Sequence, residues 1–170
     1  METATALYYT FSTIAQALAA AMALLAAFAL YRLKAINDEC LQSALVMESD
    51  SGGGTSVRAP AYASNWAEVR QELERRVRDG QGGDWTRETV PPRLARLERL
   101  LKAHSRVLTA LWVSLALTGL VAAWSVYVLA KVPGIVTSGH ADATLNAGVV
   151  TTAACLASYV WLVYEAFRRL

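Results

Sequence analysis

The sequence predicts an all-α membrane protein with three spanning helices and a small helical segment between the first two. Two observations carry this: three long runs free of Asp, Glu, Lys and Arg, and a crowding of charge between them. Of the 30 charged residues, 24 lie between Arg32 and Arg106, and six (Glu2, Lys131, Asp142, Glu165, Arg168, Arg169) serve the other 95 positions. A soluble globule spreads charge along its chain to solvate every surface element, so this pattern excludes one. Apolar residues reach 55%, above the roughly 45–50% of soluble domains. A net charge of +2 excludes a nucleic-acid binder driven by bulk charge, and two cysteines exclude a disulfide framework.

The first uncharged run covers residues 3–31, 29 positions. As a helix it would measure about 43 Å, more than a hydrocarbon core of about 30 Å requires. Tyr8, Tyr9 and Tyr31 therefore suit the two interfaces. The second run is 107–130, with Trp112, Trp124 and Tyr127; the third is 143–164, closing on Tyr159, Trp161 and Tyr164. A cleaved signal would need a basic start and an apolar core of about 7–15 residues. Here Glu2 is the only early charge and Arg32 and Lys34 follow the run, which reads as an uncleaved helix with its N-terminus outside.

Lysine and arginine set the expected orientation. Thirteen of the 16 lie in 32–106, Arg168 and Arg169 close the chain, and the 131–142 connection holds only Lys131. The N-terminus is thus expected outside an inner (plasma) membrane. The 32–106 segment and the 165–170 tail are expected in the cytoplasm, and the 131–142 loop outside.

Within 32–106, Leu33, Ile36, Cys40, Ala44 and Met47 repeat at helical spacing, so the first helix should continue over about 33–48. It should stop before Ser49, Asp50, Ser51 and three glycines. A second helix is expected over 65–79, capped by Ser64 or Asn65, with Trp66, Val69, Leu73 and Val77 on one face. Glu72 with Arg76 and Glu74 with Arg78 offer i,i+4 pairs. The 80–92 stretch reads as loop, and its two prolines suit the start of a third helix over 92–106 that enters the second span without a breaker. Leu94, Leu97, Leu101 and Leu108 form a stripe there, expected to pack on Trp66, Val69 and Leu73 as a hairpin. Arg93, Arg96, Arg99, Lys102 and Arg106 lie beside it, a basic stripe suited to anionic lipid headgroups.

Chemical motifs are few. His104 and His140 fall on opposite sides of the membrane in this topology and have no partners at metal spacing. The glycines at 80, 82 and 83 lack the lysine of a P-loop and the ligand ladder of an EF-hand. No catalytic residue, metal or cofactor is expected, and Cys40 and Cys155 cannot meet. Polar residues inside the spans are more informative, because hydrocarbon offers them no water. Gln16, Thr118, Asn146, Thr151 and Thr152 are the candidates, with Ser12, Thr13, Ser114, Ser125 and Ser158 beside them. Ala15, Ala19, Ala23 and Ala27 recur every four residues on span one, a small face for self-association. Leu7, Phe11, Ile14, Leu18, Met22 and Leu25 follow another stripe, suited to lipid or to the other spans.

The opening YYTFSTIAQALAAAMALLAAFALYRL resembles the first helix of a group of uncharacterised bacterial membrane proteins. The topology and the last span, AGVVTTAACLASYVWLVYEAFRR, are similar to the TolQ, ExbB and MotA stator family of ion-channel subunits. That likeness puts Thr151 and Thr152 at the pore-lining threonine position, although Cys155, Leu156 and Ser158 stand where the family carries glycine and proline. The residues themselves point to a non-enzymatic, self-associating scaffold, adaptor or sensor that meets a single-span or cytoplasmic protein partner, and not nucleic acid. The alternative is a stator-like proton or ion channel subunit whose partner helix supplies the carboxylate.

Single cysteines at Ser51 and Ser138, in a chain lacking Cys40 and Cys155, test the orientation. An impermeant thiol reagent on intact cells should label position 138 alone; labelling of position 51 alone would invert the topology.

Overall fold

A computed structural model describes residues 2–50, 57–79 and 83–168, and every element in it is helical. The order is α1 (Glu2–Asp50), α2 (Arg58–Tyr62), α3 (Trp66–Asp79), α4 (Gly83–Thr137) and α5 (Ala141–Phe167). By length and composition α1, α4 and α5 can each cross a membrane. The chain divides into two compact units, one from residues 2–30 with Val107–Arg168, the other from Tyr31–Arg106.

The apolar unit is built on the bulky stripe of α1. Leu7, Phe11, Leu18 and Met22 are buried, and Ile14 and Leu25 half-buried, so this stripe packs inside the protein. Leu7 and Phe11 cluster with Val128 and Val132 of α4. The Phe11 ring also crosses α5 at Gly148, where an added Cβ would lie 2.8 Å from its Cζ. Only glycine allows so close a crossing. Near the opposite end Phe28 stacks on Phe167 with ring centroids 4.9 Å apart. The outward surface is apolar as well, with Leu24, Leu120, Val150 and Val160 each about two-thirds exposed or more. Such exposed apolar side chains suit a surface that faces a membrane.

The 131–142 connection is shorter than the sequence suggests. Pro133 and Gly134 stay helical because Val132 and Ile135 hold this turn against Leu7 and Phe11. Thr137 Oγ1 donates to the carbonyls of Pro133 and Gly134. The stop comes at Gly139, whose φ of 71° is open to glycine at little cost. His140 N–H reaches the Ile135 carbonyl and Gly139 N–H that of Val136, a Schellman cap.

The charged unit has a single core drawn from four helices. Leu33, Ile36, Cys40, Ala44 and Met47 are all buried, as their spacing implies. All but Leu33 form one cluster with Val57 just before α2, Ala61 from α2, Val69 and Leu73 from α3, and Val90, Leu97 and Leu100 from α4, with Trp66, Leu94 and Leu101 half-covered. The predicted pairing of two helices is therefore only part of the core, since α1 and α2 also contribute. Leu100 also joins this core, whereas Leu108, expected on the same stripe, is exposed and belongs to the apolar unit.

The loop expected over 80–92 is also corrected. Residues 80–82 lie outside the described ones, and α4 is already helical from Gly83. Pro91 and Pro92 are exposed, so the carbonyls they leave without donors can be solvated, while buried Val90 ties the preceding turn to the core. Likewise α1 runs through Ser49 to Asp50, and the 51–54 part of the expected linker lies outside the described residues.

Ion pairs fix the periphery. Glu48, 2% exposed, accepts from Arg58 Nε at 2.8 Å and ties α1 to α2. Arg70 bridges Glu74 on α3 and Glu98 on α4 at 2.6 and 2.9 Å. Glu72 pairs with Arg76 as expected, whereas Glu74 turns to Arg70 rather than Arg78.

The α2–α3 corner stores local strain. Asn65 N–H reaches the Pro60 carbonyl and Ser64 N–H that of Ala61, which forces Ser64 to a φ of 56°. An L side chain pays about 1–2 kcal/mol for that conformation. Ser64→Gly should therefore stabilise the charged unit by about 1 kcal/mol, read as slower cleavage in native-state proteolysis across a urea series. Unchanged or faster cleavage would show that this corner carries no such strain.

Candidate functional site

The spans bring several polar side chains to one buried point, centred on Tyr159. This residue is 5% exposed, and a buried phenol in hydrocarbon must find a protein partner. Its hydroxyl lies 3.0 Å from the Leu18 carbonyl of α1, to which it can donate, and 2.8 Å from Thr118 Oγ1 of α4. Thr118 Oγ1 in turn reaches its own Ser114 carbonyl at 2.6 Å and approaches Cys155 Sγ at 3.5 Å. Two directions of donation satisfy the pair. Thr118 can donate to Tyr159 and Tyr159 to Leu18, or Tyr159 to Thr118 and Thr118 to Ser114. The first links all three spans through two side chains.

Neighbouring bonds reinforce the α4–α5 contact. Ser114 Oγ donates to the Ser158 carbonyl at 3.1 Å, while Ser158 Oγ donates back to Cys155 of its own helix at 2.7 Å. Ser125 likewise bonds the Val121 carbonyl of its own helix. The node is built from hydroxyls, a thiol and backbone carbonyls.

The other sequence candidates do not converge on it. Thr151 is half-buried and its Oγ1 donates to Ala147 and Gly148. Thr152 Oγ1 is buried without a hydrogen-bond partner, at the edge of an open groove that α1 lines with Thr10, Thr13 and Ala17. Asn146 and Gln16 are exposed, and Gln16 donates to Ser12 Oγ at 3.4 Å. Ala19, Ala23 and Ala27 face outward, while Ala15 is half-buried. Of Gln16, Thr118, Asn146, Thr151 and Thr152, Thr118 is the one at the node, with Ser114 and Ser158 beside it. Tyr159 stood in the sequence as an interfacial aromatic; its place opposite Thr118 on another helix leaves no local signal.

The basic stripe splits in the charged unit. Arg93 is half-buried and Arg96 exposed, and both line a groove that they share with Glu39, Gln42, Ser43 and Val46 of α1. Arg99 continues the lining beside Glu39, whereas Lys102 and Arg106 are exposed outside it. Among the described residues no group of three or more His, Cys, Asp or Glu is placed to hold a metal ion. In comparisons with known proteins, no family model, curated protein or solved structure matches the chain.

Proposed function

We propose that this chain is a non-catalytic, self-associating three-pass membrane scaffold or adaptor, with its N-terminus outside and its charged helical unit in the cytoplasm, where it meets a partner. One observation carries the reading: α1 turns its bulky stripe inward and leaves Ala19, Ala23 and Ala27 exposed, with Thr13 and Gln16 on the outward surface above them. Small residues let two helix backbones approach closely in lipid, where packing supplies the attraction. Gln16, bonded among the described residues to Ser12 at 3.4 Å, gains from a second helix that offers hydrogen bonds.

The stator-like alternative would draw on Thr151 and Thr152. The Thr151 hydroxyl folds back onto its own helix, and the spans hold no carboxylate for an ion to use. Topology and the likeness of the last span remain its support.

Ala19→Leu combined with Ala23→Leu tests the self-association. Leucine inserts readily into lipid, so the variant should fold and insert while its crosslinked oligomer disappears and its mass in detergent falls to that of a monomer. An oligomer unchanged in the double variant would contradict the reading.

A further inference from the structure

Within the charged unit α1 begins at Tyr31 and α4 ends at Arg106, and both helices run on unbroken into stretches that can cross a membrane. Lys34 follows Tyr31 by three residues, and Lys102 lies one turn before Arg106 on the same face of α4. The two helices run in opposite directions, since Val46 lies near Arg93 and Glu39 beside Arg99 and Leu100. Lys34 therefore belongs to the same end of the unit as Lys102 and Arg106. All three cations are exposed, and among the described residues none of them enters an ion pair. Glu98, one turn before Lys102, is held by Arg70 at 2.9 Å. Several cations farther from the apolar runs are engaged instead: Arg58 with Glu48, Arg70 with Glu74, and Arg75 and Arg76 with Glu72.

We propose that Lys34, Lys102 and Arg106 bind the headgroup of an anionic glycerophospholipid at the membrane surface that α1 and α4 enter. The attraction of a charged leaflet fades within a Debye length, about 8 Å at physiological ionic strength. At about 1.5 Å per helical residue, Lys34 and Lys102 stand within about 8 Å of the uncharged runs, and Arg106 adjoins one of them. Arg96 and Arg93 lie about 17 and 21 Å back along α4, beyond that reach. The basic stripe of α4 is thus divided by distance: its near part serves lipid, and Lys34 joins it from another helix. A guanidinium meets phosphodiester oxygens with two N–H groups, while the lysines add mobile point charges on long stems. Those stems lie along apolar surface at the boundary, and Tyr31, 72% exposed, supplies an interfacial phenol beside Lys34 in sequence. A zwitterionic headgroup is disfavoured, because its own ammonium would meet the same cations. The inference rests on the reading that α1 and α4 cross a membrane and is independent of self-association.

The test uses the full-length protein purified in detergent, titrated with phosphatidylglycerol or phosphatidylcholine and read by native mass spectrometry. The wild type should bind phosphatidylglycerol more tightly. Lys34→Gln, Lys102→Gln and Arg106→Gln should each weaken that binding about fivefold, the equivalent of about 1 kcal/mol per cation near the surface. Together they should abolish the preference. Arg75→Gln, Arg78→Gln and Arg96→Gln combined remove as many cations farther from the runs and should leave it intact. Lys34→Arg and Lys102→Arg with Arg106→Lys keep the charge and should keep the preference, which separates charge from folding. Ala19→Leu with Ala23→Leu should keep it as well, so a lost oligomer and a lost lipid site are told apart. Equal affinity of the wild type for the two lipids would overturn the proposal. So would single glutamine variants that bind like the wild type, or an equal loss in the Arg75, Arg78 and Arg96 control.

Discussion

A hydroxyl buried in hydrocarbon has no water to turn to, and that constraint organises the apolar unit around Tyr159. Its ring adds to the buried apolar surface of α5, and the polar tip must still be satisfied. The Leu18 carbonyl and Thr118 Oγ1 meet that need from two different helices. Because apolar packing does little to distinguish one helix from another in lipid, such bonds select which faces meet. The same selection turns Phe11 toward Gly148, where the missing side chain leaves room for the ring.

Once those faces are committed inward, the outward surface follows. On α1 the buried positions Leu7, Phe11, Leu18 and Met22 leave alanines and short polar groups outside. A helix whose role ended with spanning could carry leucine there. Between exposed Tyr9 and Leu24 the surface of α1 carries small residues at Ala19 and Ala23, with Gln16 and Thr13 as hydrogen-bonding groups, which is why self-association is the favoured reading. The charged unit obeys the opposite solvent: its apolar core is drawn from four helices, and ion pairs tie α1 to α2 and α3 to α4.

Legibility in the sequence followed periodicity and charge. The three spans could be read from their uncharged length, and the buried face of Leu33, Ile36, Cys40, Ala44 and Met47 and the helix beginning near Trp66 from spacing. Prolines misled twice. Pro91, Pro92 and Pro133 mark helix ends only when nothing nearby pays to keep the turn, and here buried Val90 and Val132 hold it. The partnership of Tyr159 with Thr118 was not legible, since it joins positions 41 residues apart and depends on the rotation of two helices. The groove was half legible: the arginines formed a visible stripe, but Glu39, Gln42 and Ser43 belong to another helix.

The central claim is that the Tyr159 and Thr118 hydroxyls act as one unit holding the spans together. A double-mutant cycle with Tyr159→Phe and Thr118→Val, read from unfolding of the purified protein in mixed micelles, measures that most directly. The account predicts a coupling energy between about 0.6 and 1.7 kcal/mol, the average and the maximum found for hydrogen bonds between membrane helices. Strictly additive losses would contradict it, since two hydroxyls bonded to each other cannot be removed independently.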